Sequence, residues 1–497
     1  MANPIYDTLF APNAARSEPF LYLPIDATRE TDQPAYLTHQ DFAELAAQLA
    51  GLIASLGVQP GDRVAAQVEK SPLALALYAA CIRVGAVYLP LNTAYTKDEI
   101  GFFLNDCAVS LFFCDPDKRT ELNSVAAAAG ARIVELAEWG FPKDLPVPPV
   151  AHRDPDDLAA MLYTSGTTGQ PKGAMLSHEN LLSNTRALVD IWGIRTDDVL
   201  LHALPIYHSH GLFVASNVML LRGAPMIFLP RFDAGEMLSR MPEATIMMGV
   251  PTFYTRLLAD PKFGVQTAGH MRLFISGSAP LLTQTHEAFK ARTDHRILER
   301  YGLTETSMNT SNPLDGDRRA GTVGIALPEV ELRLGETDGK EKGIGEIQVK
   351  GPNVFKGYWG LKGKTAEAFT KDGFFRTGDL GTISEDGYVS IVGRSKDLII
   401  TGGLNVYPKE IETLIDALPG VVESAVFGIE DADFGERVIV AVVPEPGVSP
   451  DLQALHRAIT PGLAKFKHPK AWHLLDALPR NAMGKVKKDQ LRQMFAK

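Results

Sequence analysis

The chain is predicted to be an α/β protein, with a large N-terminal domain of layered sheets and helices plus a β subdomain, then a small α+β C-terminal domain. Three observations carry this. Its 497 residues are too many for one hydrophobic core, so two or more domains are expected. Before Gly324, helix-period segments alternate with strand-like ones, as in a mainly parallel sheet covered on both faces. After Gly324 the pattern changes, and it changes again near Arg394.

The elements follow in order. In "LTHQDFAELAAQLAGLIASLG", Thr38 is placed to cap a helix. Phe42, Leu45, Ala46, Leu49 and Ile53 recur at helical spacing, and Gly57 ends the run. "DRVAAQVE" is strand-like. "PLALALYAACIRVGAVYLPLN" repeats the unit, with a buried helix up to Gly85 and then a strand. "VSLFFCDPDK", "ARIVELA" and "DLAAMLYT" continue the alternation. Beyond Gly324, "VELRLGETDGKEKGIGEIQVKGPNVFKGYW" has short strands split by Gly and Asp, which predicts an antiparallel subdomain. From "GYVSIVGRSKDLIITGGLNVYPKEIETLIDAL" onward the order reads roughly βαββαβ. The expected domains are 1–394 and 395–497, with a hinge near Arg394–Asp397.

Composition narrows the function. The formal net charge is −10, from 49 Lys+Arg against 59 Asp+Glu, which argues against a nucleic-acid partner. It leaves room for an anionic small molecule held by local lysines. The three cysteines form no C-x-x-C pair, so buried thiols in a reducing, cytoplasmic setting are expected. The opening residues do not read as a signal peptide, and no uncharged apolar stretch reaches spanning length, so no membrane partner is expected.

The stretch "YTSGTTGQPKGAMLSH" is the most informative. Ser165, Thr167 and Thr168 crowd around Gly166 and Gly169, with Lys172 just beyond Pro171. Closely spaced glycines let backbone N–H groups converge into an anion-binding nest, and hydroxyls and an ammonium add donors for phosphate oxygens. It is not the G-x-x-x-x-G-K-[ST] loop, because the glycines are too close and Gly173 follows the lysine. "GAMLSH" reads as a strand, and a helix starts at Ser177 with Leu181, Leu182, Leu188 and Ile191 on one face. The loop is therefore expected between two strands, as a clasp over a polyphosphate.

Further along stand "ERYGLTETSMN", "FRTGDLG", "VGRSKDLIITGGLNVYPKEIE" and "PRNAMGKVKK". Each alone has a structural explanation. Together, in this order, they resemble the adenylate-forming superfamily of acyl-CoA synthetases, luciferases and peptide-synthetase adenylation domains, over nearly the whole chain. The resemblance implies activation of a carboxylate by ATP to acyl-AMP and pyrophosphate, then displacement of AMP by the thiol of coenzyme A. A poor acyl donor is thereby exchanged through two easier steps.

Residue by residue, the resemblance assigns the β- and γ-phosphates to Thr164, Ser165, Gly166, Thr167, Thr168, Gly169 and Lys172. Tyr301 corresponds to the aromatic that stacks on adenine, and Thr304 to an α-phosphate contact. Glu305 corresponds to a Mg²⁺ ligand, a hard oxygen donor for a hard cation. Asp379 takes the ribose hydroxyls, with Arg394 as its cationic companion. Lys485 meets the carboxylate and α-phosphate, where negative charge accumulates. Lys396 is the pivot for a domain rotation, Gly402 and Gly403 border the pantetheine tunnel, and His208 in "PIYHSHG" gates it.

The acid is read from Arg300, directly before Tyr301. The resemblance places this residue at the acyl-pocket wall, where a guanidinium is costly unless an anion pairs with it. Its planar fork suits a second carboxylate. Arg256, in "GVPTFYTRLL", is a candidate second cation, and Ser278, in "LFISGSAPLL", a further carboxylate contact. These segments are similar to the malonyl-CoA synthetase family, which implies malonate and also methylmalonate as substrates. Alternatives are a CoA ligase for another short acid and a carrier-protein-loading adenylation enzyme. A nucleotide-binding regulator is disfavoured, because Lys485 and Glu305 are both present.

Overall fold

The structure is a computed structural model. It describes residues 2–24, 36–137, 145–164, 170–336, 343–431, 433–481 and 485–495. Among these, the strands form four sheets, of nine, six, four and five strands.

Local signals set many element ends. The helix His39–Ser55 starts at Thr38, whose hydroxyl accepts from Asp41 N–H while the Asp41 carboxylate accepts from Thr38 N–H. Pro72–Val84 is buried almost throughout and ends at Gly85, which has φ +74°. The six-stranded sheet runs parallel through Arg132–Glu135, Leu111–Cys114, Arg63–Gln67, Val87–Pro90 and Leu158–Thr164. Its last strand, Lys172–Ser177, turns back antiparallel and pairs Thr164 with Lys172. Ser177 then caps the helix His178–Ile191. The expected strand–loop–strand frame around the glycine-rich stretch is thus present. Ser165, Gly166, Thr167, Thr168 and Gly169 themselves lie outside the described residues.

The nine-stranded sheet is parallel at its centre, through Met226–Phe228, Leu200–His202, Ile246–Gly249, Leu273–Ser276 and Leu298–Leu303. The hairpin to Ser307–Ser311 makes one end antiparallel. Open parallel sheets bind ligands beyond the carboxyl ends of their strands. Here those ends deliver His208 and His210, Gly277 and Ser278, and Arg300 to Glu305. One apolar core runs from Ile5 to Val389 and joins these sheets to the antiparallel four-stranded sheet.

That antiparallel sheet ends at Val389–Arg394, and the single helical turn Ser395–Asp397 follows. The five-stranded sheet begins at Ile399 and has its own apolar clusters. Two elements were missing from the sequence reading. The short strand Leu404–Val406 closes a hairpin, and Lys488–Phe495 is a terminal helix seated by the buried Leu491.

Candidate active site

Two cross-strand pairings build the nucleotide side of the cleft. Asp379, on Phe375–Ile383, lies directly opposite Arg394 on Val389–Arg394. Arg394 Nε donates to Asp379 Oδ1 at 2.9 Å, and the Tyr301 hydroxyl donates to Oδ2 at 2.6 Å. Both carboxylate oxygens are therefore held by protein groups. The Asp379 charge holds the Arg394 pKa up, and burial with the nearby carboxylate pushes the Tyr301 phenol well up.

The segment Lys356–Trp359 hydrogen-bonds along Lys172–Ser177, with Trp359 N–H donating to Gly173 O. This sets Tyr358 beside Lys172, whose Nζ lies 4.3 Å from the ring centroid. The Tyr358 hydroxyl donates to Glu305 Oε1 at 3.0 Å. Thr304 and Glu305 sit on the turn of the hairpin Leu298–Leu303 to Ser307–Ser311, where Ser307 takes φ +50°. Lys172 and Glu305 are thus joined through one aromatic ring. Tyr358 had not been singled out from the sequence.

Lys485 is held at a turn, its N–H donating to Asn481 Oδ1 at 3.0 Å. The residue is exposed, yet protein atoms crowding its ammonium lower its pKa. Arg394 and Arg300 push the same way, and Asp379 and Glu305 oppose them. Residues far apart in the chain therefore meet around one ammonium.

The acyl side centres on Arg300, which is 3% exposed. Its Nε and Nη2 are buried and have no hydrogen-bond partner among the described residues. Burial pushes its pKa down to about 9. An ion pair with Glu299 is excluded as its explanation: Glu299 faces His286 instead, at 3.8 Å. Beside Arg300 stand two neutral imidazoles. Burial, Lys485 and Arg300 lower the His208 pKa to about 3, and burial with Arg300 puts His210 well below its ordinary value. His208 Nδ1 accepts from His210 N–H at 3.3 Å, which leaves its proton on Nε2. His210 Nδ1 is hydrogen-bonded to Ser278 Oγ at 3.1 Å, and its Nε2 is buried and unpartnered among the described residues. The loop before them is anchored from below. Buried Lys70 donates to His202 Nδ1 at 2.9 Å, and His202 Nε2 donates to Gly211 O at 3.0 Å. His210 was missed from the sequence, although its place two residues beyond His208 was a usable signal.

The structure does not bring every candidate here. Arg256, expected at the substrate carboxylate, is instead exposed in the last turn of Pro251–Ala259 and stacks over Phe232 at 5.8 Å. Helix register turns its guanidinium out to solvent. Gly402 and Gly403 form the exposed tip of the Ile399–Thr401 to Leu404–Val406 hairpin, with φ +57° and +74°. Two successive positive φ values are what a tight two-residue hairpin turn demands. Lys396 is exposed on the turn Ser395–Asp397.

The fold and the groups gathered around Asp379, Glu305 and Lys485 define a protein of the adenylate-forming class. The chain belongs to the AMP-binding enzyme family, which matches residues 21–359, with the AMP-binding enzyme C-terminal domain matching residues 410–485. Among curated relatives, a malonate–CoA ligase of Arabidopsis thaliana is 36% identical over 449 residues, covering 82% of this chain and 74% of that protein. The mitochondrial malonate–CoA ligase of Bos taurus is 35% identical, covering 83% and 78%. Among solved structures, ATP-bound MatB from Rhodopseudomonas palustris is 51% identical with a TM-score of 0.93, covering 100% of this chain and 99% of that one. Apo MatB, at the same identity, gives 0.82. The arrangement of this chain therefore follows the ATP-bound molecule more closely than the apo one.

Proposed function

We propose that this chain is an AMP-forming acid–thiol ligase that joins malonate, and also methylmalonate, to coenzyme A. The observation that carries the choice of acid is the buried Arg300 guanidinium, two of whose nitrogens have no partner among the described residues, near Lys485 and the neutral pair His208 and His210. A charge buried in this way is expensive unless an anion completes it. The second carboxylate of a short diacid supplies that anion.

In the first step a carboxylate oxygen of malonate attacks the α-phosphorus of ATP, the bond to the β-phosphate breaks, and pyrophosphate leaves. In the second, the CoA thiol attacks the acyl carbon and loses its proton, the bond to AMP breaks, and malonyl-CoA forms. Lys485 stabilises the charge gathered between carboxylate and α-phosphate in the first step. Thr304 contacts the α-phosphate, and Lys172, Thr164 and the glycine-rich stretch hold the β- and γ-phosphates. Tyr301 stacks on adenine while Asp379 accepts from the ribose hydroxyls, oriented by Arg394.

Mg²⁺ suits the donors. Glu305 offers a carboxylate steadied by Tyr358, and among the described residues no cluster of three or more His, Cys, Asp or Glu forms a separate cage. One protein carboxylate plus substrate phosphates is a common Mg²⁺ environment. Glu305 would hold the ion, which would offset phosphate charge.

We place the domain boundary at 394/395, with Lys396 as pivot. Rotation there would withdraw Lys485 after adenylation and bring the Gly402–Gly403 hairpin to the cleft for thioester formation, with His208 at the tunnel mouth. The buried free cysteines Cys81, Cys107 and Cys114 suit a reducing compartment such as the cytoplasm, and no helix among the described residues is long and apolar enough to cross a membrane. The test is pyrophosphate release with ATP and a panel of acids. Malonate and methylmalonate should lead, with succinate, acetate and octanoate far behind. An acetate or octanoate rate equal to that of malonate would sink the diacid reading.

A further inference from the structure

We propose that Gly277 is a specificity-determining residue, the position whose bare backbone makes room for the Arg300 guanidinium and so creates the site for the second carboxylate. This rests on the reading of Arg300 given above. Gly277 follows the strand Leu273–Ser276, and Ser276 lies opposite Glu299 in the adjacent parallel strand. The next step in register sets Gly277 beside Arg300. A Cβ placed on Gly277 would lie 2.3 Å from both Cζ and Nη1 of Arg300 and 2.6 Å from Nε. Carbon atoms in contact rest about 3.5–4.0 Å apart. The flat face of the guanidinium therefore occupies the volume that any other residue's first carbon would take.

Backbone geometry does not demand glycine here. Gly277 is absent from the positive-φ positions, whereas its neighbour Ser278 has φ +70° and is hydrogen-bonded to His210. Space alone is the constraint, and what fills it is the far end of a long side chain rather than backbone. A residue larger than glycine would thus leave the fold standing and push Arg300 out of position. Gly277 acts through Arg300 and does not itself touch the distal carboxylate.

The experiment is a double-mutant cycle on Gly277→Ala and Arg300→Ala, read as kcat/KM for malonate and for butyrate by pyrophosphate release. Gly277→Ala is expected to lower the malonate value by about 30-fold or more, to change the butyrate value less than about threefold, and to leave the KM for ATP within about twofold. In the Arg300→Ala background, Gly277→Ala should cost malonate no more than about twofold further, because a residue acting through a partner has nothing to act on once the partner is gone. Effects that multiply across the cycle, or equal losses for both acids, overturn the role of Gly277 while leaving Arg300 intact. An unchanged malonate-to-butyrate ratio in Arg300→Ala alone overturns the reading of Arg300, and this inference with it. If Gly277→Ala does not fold but the double variant does, the collision with Arg300 is established directly. If neither folds, the Cβ collides elsewhere and the inference is wrong.

Discussion

Arg300→Ala is the most informative single perturbation of the acyl pocket. The guanidinium is 3% exposed, two of its nitrogens have no partner among the described residues, and the neighbouring His208 and His210 are held neutral. Glu299 is turned to His286. No anion from the described residues therefore competes for this cation, and the distal carboxylate would meet it already stripped of water. Truncating one partner of such a pair costs about 2–5 kcal/mol, chiefly by leaving the other charge buried and unpaired. At ~1.4 kcal/mol per tenfold this is a loss of about 30-fold to several thousandfold in kcat/KM for malonate. Arg300→Lys should fall between, since it keeps the charge and loses the fork. The assay is pyrophosphate release with malonate and butyrate in parallel, and the decisive quantity is the ratio of the two specificity constants, which cancels any general loss of active protein. Butyrate should hold or gain, because an unpaired cation no longer opposes an apolar tail. The KM for ATP should barely change, as Tyr301, Asp379 and Arg394 are untouched. Equal loss for both acids would refute the argument and make Arg300 a structural residue.

Three further outcomes are expected. Lys485→Ala should abolish acyl-AMP formation yet spare thioester formation from supplied malonyl-AMP and CoA; equal loss of both half-reactions would contradict the two-conformation scheme, and acetylation of Lys485, which removes its charge, should mimic the variant. Glu305→Gln should raise the Mg²⁺ concentration needed for half-maximal pyrophosphate release, and an unshifted titration would remove Glu305 from the metal. Asp416 is 5% exposed, and burial raises its pKa from 3.8 to about 6, against the hydrogen bond donated by Ser424. The folded state thus binds its proton more tightly than the unfolded chain, so this group costs stability as pH rises from about 4 through 6. Asp416→Asn, which keeps an acceptor for Ser424, should raise the free energy of unfolding above pH 7 by about 2–3 kcal/mol and give no gain at pH 4, as denaturant melts at the two pH values would show; a gain of the same size at both would refute the titration.

Much of this molecule is legible in local sequence, because local chemistry decides it. Thr38 caps its helix, Gly85 and Gly57 end theirs, and Ser177 starts the helix after the glycine-rich hairpin through side-chain bonds that span only a few residues. The turn at Ser395–Asp397 and the change of sheet around it also follow from short-range pattern. The terminal helix Lys488–Phe495 is only eight residues long and mostly polar, too short for its periodicity to stand out, and the buried Leu491 seats it.

The site divides along the same line. By itself, the sequence determined which residue types stand in the motifs: Lys172, Tyr301, Glu305, Asp379, Arg394, Lys485, and a suspect arginine before the tyrosine. Only the tertiary structure decided what each one faces. Arg256 and Arg300 look alike in sequence, yet one stacks in solvent over Phe232 and the other is buried with two nitrogens unpartnered among the described residues. Tyr358 gains its place between Lys172 and Glu305 from strand pairing across the chain, and His210 gains its place from Ser278 in the loop after Leu273–Ser276. The physical reason is that the free energy of a charge depends on its distances to every other charge and to water. Those distances are fixed by contacts between strands far apart in sequence, and no local pattern encodes them.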